Sequence, residues 1–403
     1  MSAPESKTAP LPIVQVIAVT MSTQVMTTLG ALALTAVAPK AAAELGISSA
    51  LIGYQVSMVY FGALVAALFG GGLVLRLGAT RVSQLSLWLA AAGCLLSALG
   101  TLPTIALGAW VIGLGYGITN PAASHLLTRS PITRNMNLIF SIKQTGVPIG
   151  GVIAGALLPP LTLAYNWQIA LVVCAALMVA LSLGIGPMRS AWDLDRSRTA
   201  PLFASPFASV ALVWQRKVLR WIAISSFAYS AVQLSLTGFL VTYLVAEVKL
   251  SLVLAGTILS ATHAAGALGR IAWGWVADRL RSGSLALIVC GALTMAGALA
   301  TAAIAAGWPA WAIGAATALF GFCAIGWNGV FVAVVARQSA PHEVGIATGG
   351  SLVITYAGVI VGPSLFSVLH SHSGLSYGAS YVLLTLVTAA GVACVVQARR
   401  NIR

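Results

Sequence analysis

Two cations lie in stretches of sequence that otherwise carry no charge. Lys143 and Arg270 each sit inside a long apolar run, while the seven acids fall elsewhere, at Glu5, Glu44, Asp193, Asp195, Glu247, Asp278 and Glu343. An arginine keeps its proton at any relevant pH. On insertion scales, Arg or Lys at the centre of a membrane helix costs about 2.5–3.5 kcal/mol. Something must compensate, and no run holds a carboxylate that could neutralise either residue. If the fold brings the two together they form an anion site. A carboxylate is its natural ligand, because a guanidinium holds it through two parallel bonds and a lysine adds a point charge. The plainer alternatives are that both side chains snorkel to the nearer membrane surface, or that Arg270 pairs with Asp278 or Glu343 as a gate strut. His263 lies seven residues before Arg270, on the same helix face and about 10 Å along the axis. It is the candidate for carrying a coupled proton, with a hydrogen-bonded packing histidine as the alternative. His125, His370 and His372 fall near the ends of runs and are given no role.

The elements that must position these residues follow from composition. Of 403 residues, 59% are hydrophobic and 7% charged, against about a quarter charged in a soluble domain. Ile13 to Ala38 and Ala50 to Leu75 hold no charge at all, and about 20 apolar residues suffice for a helix to cross the hydrocarbon. Backbone groups in lipid pair within their own segment, so these runs are helices or barrel strands. They lack the two-residue alternation of a barrel strand and are twice its length. Cutting the chain at charges, Pro and Gly gives twelve spans, near residues 12–38, 49–74, 83–101, 105–128, 138–162, 168–188, 219–245, 253–277, 284–306, 309–336, 347–370 and 378–397. The first ten residues lack a basic n-region with a cleavage site, so no signal peptide is expected.

The net charge of +14 belongs to topology. With the N-terminus inside, Lys7, Arg76, Arg81, Arg129, Arg134, Arg189, Arg196, Arg198, Arg216, Lys217, Arg220, Arg279, Arg281, Arg337, Arg399, Arg400 and Arg403 all fall on the cytoplasmic side. Only Lys40 and Lys249 fall outside. The basic balance therefore serves anionic lipid and not nucleic acid. Cys94, Cys174, Cys290, Cys323 and Cys394 lie inside spans without metal-ligand spacing and read as core residues. No metal and no cofactor is expected. No His/Asp/Glu cluster or catalytic loop domain suggests an enzyme, and no phosphate-cradling glycine loop suggests ATP-driven transport.

The stretch from Arg189 to Lys217 is the longest hydrophilic one, and the sequence on its two sides is related. Gly71-Gly72-Leu73-Val74-Leu75-Arg76 matches Gly274-Trp275-Val276-Ala277-Asp278-Arg279 at an offset of 203, and Gly113, Asn120 and Arg129 match Gly321, Asn328 and Arg337 at an offset of 208. The expected fold is an all-α polytopic membrane protein with twelve transmembrane helices in two pseudo-symmetric six-helix bundles. Residues 1–188 form the first half, 189–217 a cytoplasmic linker and 218–403 the second half. Such repeats are a transporter design, with the substrate site where the halves meet.

The segment from Gly274 to Arg279 is similar to the loop signature G-x-x-x-D-R-x-G of the major facilitator superfamily, and the resemblance covers essentially the whole chain. It implies a secondary transporter, usually monomeric, in a cell (inner/cytoplasmic) membrane with both termini cytoplasmic. It implies Asp278, Arg279 and Arg76 at a cytoplasmic gate, with the fifth and eighth spans adjacent where the halves meet. Spans one, four, seven and ten would line a central cavity. Polar residues recur at helical spacing on three of them (Thr20, Gln24 and Thr27; Tyr116, Asn120 and Ser124; Ser225, Tyr229, Gln233 and Thr237), and Trp327 and Asn328 sit within the tenth. Gln24, Tyr116, Asn120, Tyr229, Gln233 and Asn328 are therefore substrate-binding candidates beside Arg270 and Lys143, although such residues also join helices by hydrogen bonds.

Three positions depart from family patterns. Leu75 replaces the aspartate of the first loop signature, and Ala109 stands where proton antiporters often carry an arginine. The fifth-span G-P-x-x-G-G element of drug antiporters appears as Gly146-Val147-Pro148-Ile149-Gly150-Gly151, its proline displaced by one residue. Gly269-Arg270…Gly274…Asp278 resembles the monocarboxylate and oxalate carriers of the superfamily, where an arginine of that span contacts the anion. The expected function is movement of a small organic anion by alternating access, as uptake by proton symport or anion exchange. Drug efflux by proton antiport is the alternative. The expected partners are the anionic substrate and the lipid bilayer.

Overall fold

A computed structural model describes residues 11–46, 49–130, 135–197, 199–200, 207–250, 252–373 and 376–402. Lys7, Arg134, Arg198 and Arg403, used above for orientation, lie outside them, as does part of the segment between the halves. The described residues form helices joined by short turns. Among the described residues, ten spans are long and apolar enough to cross a membrane. The third and eighth predicted spans are helices of 20 and 28 residues that carry more polar groups, among them Arg81 and Gln84 in one, His263 and Arg270 in the other.

Local chemistry fixes where the helices start. Thr101 forms a reciprocal capping box with Thr104. The side chains of Asn166, Ser282 and Ser376 accept from the backbone N–H three residues on, meeting donors that have no partner within the helix.

The chain divides into two units, and neither is a continuous stretch. The first contains Met1–Thr133, Ile153–Ala208 and Ser339–Gly349. It holds α1 (Ile13–Ala36), α2 (Ala38–Leu45), α3 (Ser49–Leu77), α4 (Ala79–Ala98) and α5 (Leu102–Thr128). The second contains Arg134–Val152, Ser209–Gln338 and Gly350–Arg403, and so takes α6 (Met136–Gln144) and the start of α7 (Gly146–Ala164). α8 (Trp167–Ile185) and α9 (Arg189–Trp192) return to the first unit, and α10 (Ala208–Gln215) belongs almost wholly to the second. The second unit also holds α11 (Lys217–Ala246), α12 (Leu252–Arg279), α13 (Gly283–Ala302), α14 (Ala310–Ala324), α15 (Asn328–Arg337), most of α16 (Val344–Ser373) and α17 (Tyr377–Arg400).

The internal repeat appears as matched contacts, each inside its own unit. Gly113 of α5 leaves no room for a Cβ against Val59 of α3; its counterpart Gly321 of α14 does the same against Thr262 of α12. Gly117 closes on Ala63, and the equivalent pair is Ile325 on Gly266. Gly70 packs on Pro121 and Ile118 as Trp273 packs on Gly326. These pairs keep the offsets 203 and 208 read from sequence. Between lipid-facing helices no hydrophobic drive exists, so small residues that admit close backbone approach carry the packing.

Candidate substrate site

In the second unit α6 packs against both α12 and α15, and glycines set the approach. Gly274 of α12 and Gly329 of α15 both lie against Ser141, where a Cβ on either would collide with it. One turn along each helix, three groups meet as a result. From α6 come Lys143 and Gln144, from α12 comes Arg270, and from the end of α14 comes Ile325. Arg270 is 3% exposed and Lys143 2%, so neither extends its charge to the protein surface as the snorkelling alternative requires. Arg270 donates from Nε to the Ile325 carbonyl at 3.2 Å and from one Nη to the Gln144 carbonyl. Lys143 Nζ donates to Gln144 Oε1 at 3.2 Å. Gln144 therefore joins both cations, one through its backbone and one through its side chain.

Both carbonyls sit at interruptions. α14 ends at Ala324 and α15 begins at Asn328, leaving Ile325 in a turn. α6 ends at Gln144, whose carbonyl would accept in a regular helix from the N–H of residue 148. That residue is Pro148, which has none. The orphaned acceptors hold the guanidinium.

One turn in the other direction from Gly274, Asp278 caps α6. Its carboxylate accepts from the Asn137 N–H at 3.2 Å, the Leu138 N–H at 2.8 Å and the Asn137 side-chain amide at 2.7 Å. An anion at a helix N-terminus gains from both the free donors and the helix dipole. Arg337 donates to the same carboxylate at 3.4 Å. Of the other expected gate residues, Arg279 is exposed and is not among these donors, and Arg76, at the end of α3 in the first unit, is half-buried.

The remaining candidates are placed as follows. Gln233 Oε1 accepts from Trp327 Nε1 and Asn328 Nδ2, both at 3.1 Å, which ties α11 to the interruption in the tenth span. Tyr229 lies one turn from Gln233, but its hydroxyl donates to the Leu287 carbonyl at 2.9 Å. Its ring meets Trp327 edge-on at 5.6 Å. In the first unit Gln24 is buried and donates to Thr28 Oγ1 at 3.4 Å. Tyr116 is buried edge-on to Tyr60 at 6.0 Å, and Asn120 is buried. His263 is exposed on the stripe of α12 that leads to Arg270.

A second charged cluster lies in the first unit, where sequence reading gave His125 no role. His125 Nε2 meets Asp195 Oδ2 at 2.6 Å, and Arg129 donates to Asp195 Oδ1 at 2.8 Å and also to the Trp192 carbonyl. Burial raises the Asp195 pKa, but the His125 hydrogen bond and the charges of His125 and Arg129 outweigh it, so the carboxyl is held below its ordinary range. Asp193 beside it accepts from the Thr80 and Arg81 N–H groups at 2.8 and 3.0 Å, capping α4. Burial pushes Asp193 up, with those hydrogen bonds opposing.

The missed residues of the cation cluster are Gln144, Pro148 and Ile325. The signal for Gln144 was legible, since a proline four residues on frees the carbonyl of any helical residue. Nothing in the sequence marks Ile325.

Comparison with known proteins bears on the whole chain. The model of the Major Facilitator Superfamily matches residues 20–363. The structure is similar to that of the E. coli fucose:proton symporter FucP, with a TM-score of 0.74 at 16% identity, covering 96% of this chain and 98% of that one. It is also similar to the human organic anion transporter MFSD10 (TETRAN), with a TM-score of 0.78 at 14% identity, covering 96% of this chain and all of that one. No curated protein sequence matches.

Proposed function

From the premise that this chain belongs to the Major Facilitator Superfamily, we propose that it is a secondary transporter of a small organic carboxylate, with Arg270 and Lys143 as the anion-binding pair. The observation that carries this is their burial together on Gln144. Two like charges buried side by side repel, and desolvation adds to the cost. A bound carboxylate offsets both by its attraction to the two charges. Arg270 offers a planar fork and Lys143 a point charge, a pairing suited to an acid and hostile to a cation. Gln233 and Asn328, joined at the tenth-span interruption, supply neutral polar contacts in the same unit. Gln24, Tyr116, Asn120 and Tyr229 are further candidates from the first, fourth and seventh spans. Asp278 and Arg337 hold the end of α6 as part of a gate, and residues 189–217 serve as a cytoplasmic linker.

Transport is by alternating access, as proton symport or anion exchange, and His263 is the candidate for a coupled proton. The fold likeness to a fucose:proton symporter and an organic anion transporter accommodates this reading, but at such identity it speaks for the fold alone.

The test is a thermal-shift panel on the purified protein in detergent: acetate, pyruvate, succinate, inorganic anions and lipophilic cations, repeated on Arg270→Ala. Stabilisation by a carboxylate that vanishes in the variant is the expected result. Stabilisation by lipophilic cations alone, unchanged in the variant, overturns the proposal.

A further inference from the structure

The displaced proline of the fifth span has a role that the anion reading does not by itself supply. We propose that Pro148 is the positioning residue of the cation pair: by withholding a helical N–H from the Gln144 carbonyl, it leaves that carbonyl to hold Arg270.

Helical i−4 bonds persist on both sides of Pro148, although the Thr145 N–H is shared with the Ile142 carbonyl at 3.1 Å. The Thr145 N–H reaches the Ser141 carbonyl at 3.2 Å, and the Ile149 N–H reaches the Thr145 carbonyl at 3.1 Å. Only the Gln144 acceptor is deprived by the proline ring, and it is the acceptor that takes the guanidinium. A proline at residue 147, where the drug-antiporter element carries it, would free the Lys143 carbonyl instead, rotated about 100° around the helix. The one-residue displacement thus selects which way the free acceptor points. The same bond ties α6 to α12, and Gln144 also receives Lys143 of its own helix through its side chain. Arg270 and Lys143 thus both bond to one residue, Gln144, which keeps the two charges in one place for an anion. This rests on the anion reading for its consequence, though not for its geometry.

The experiment uses the full-length protein, with Pro148→Ala and with an α-hydroxy acid at position 148 that replaces the backbone N–H by an ester oxygen. Alanine restores the donor; the ester removes it again without the proline ring. Arg270 is probed by phenylglyoxal labelling read at its peptide, and anion binding by stabilisation with acetate and succinate. In Pro148→Ala the Gln144 carbonyl returns to its helix. Losing one charged hydrogen bond then raises Arg270 labelling and weakens anion binding by about tenfold, without lowering the melting temperature of the ligand-free protein. The ester returns both to wild-type values. Unchanged labelling in Pro148→Ala, or an ester that behaves like alanine, overturns the proposal. Labelling that responds as expected in a protein that no carboxylate stabilises keeps the positioning role and overturns the anion reading alone.

Discussion

Arg270 gives two of its five N–H donors to main-chain carbonyls, and that geometry is what a lysine cannot copy. Arg270→Lys keeps the charge and loses the fork. We expect carboxylate binding to weaken by about tenfold or more, close to the loss in Arg270→Ala. Isothermal titration with the stabilising carboxylate checks this. Lys143 makes the opposite case for stability. It is fully buried near another cation, so Lys143→Met removes a desolvated charge at similar volume. The ligand-free protein should keep its melting temperature or gain stability of about 1 kcal/mol, while the shift induced by carboxylate falls. A destabilised ligand-free variant would mean that Lys143 serves packing. The identity of both cations was plain from sequence, because a charge in an apolar run stands out. Their arrangement was not, since it depends on glycines that close α6 onto α12 and α15.

At the scale of the helix, the described acids stand mostly at ends. Asp193 caps α4, Asp278 caps α6, and Glu247 accepts from the Tyr377 and Gly378 N–H groups at the start of α17. Each comes from outside the helix it caps, which ties neighbouring segments together while satisfying donors that lipid cannot. Asp278→Ala should cost about 1–2 kcal/mol, and Asp278→Asn less, since an amide oxygen still accepts. Denaturant or thermal midpoints in detergent would show the order. Equal losses would point to charge and not to acceptance. Gly78 adds a constraint on the Asp193 cap. Its φ of 94° is strained for any side chain, and a Cβ there would run into the Asp193 carboxylate. The spans themselves were legible from apolar run length. The interruptions within the fifth and tenth were not separated from ordinary helix, because one is a proline near a helix start and the other a glycine among apolar residues.

Across the whole molecule the repeat is kept in packing and broken in charge. Arg129 and Arg337 are counterparts at an offset of 208, and both pair with an aspartate. In the second unit that aspartate is Asp278 of the loop signature. In the first, Leu75 occupies the equivalent place and Asp195, from beyond the sixth span, meets the arginine instead. The repeat of glycines was visible in the sequence. The substitution of one acid by another, 120 residues further on, was not, because no local pattern links them. The Asp195 pKa is held low in the fold, so its contribution is present above the ordinary carboxylate range and is lost as pH falls through the folded value. Asp195→Asn should therefore lower stability by about 1–3 kcal/mol at pH 7, and the difference from wild type should begin to narrow only as pH falls below about 4. Melting temperatures of both proteins across pH 3–8 test this. A gap that does not narrow at all toward the acid end would assign Asp195 a role independent of charge.

The second unit borrows α6 from early in the chain, and this sets an order of events during synthesis. Lys143 leaves the ribosome 127 residues before Arg270, ahead of the helix that carries the cap, the glycine contact and the guanidinium. At about 5–20 residues per second this interval lasts roughly 6–25 s. Throughout it the fifth span must sit at the translocon or in the bilayer with its lysine unhoused. Nascent chains stalled before residue 270 would thus be the species most exposed to quality-control proteases, and Lys143→Met should leave them less susceptible over the same interval.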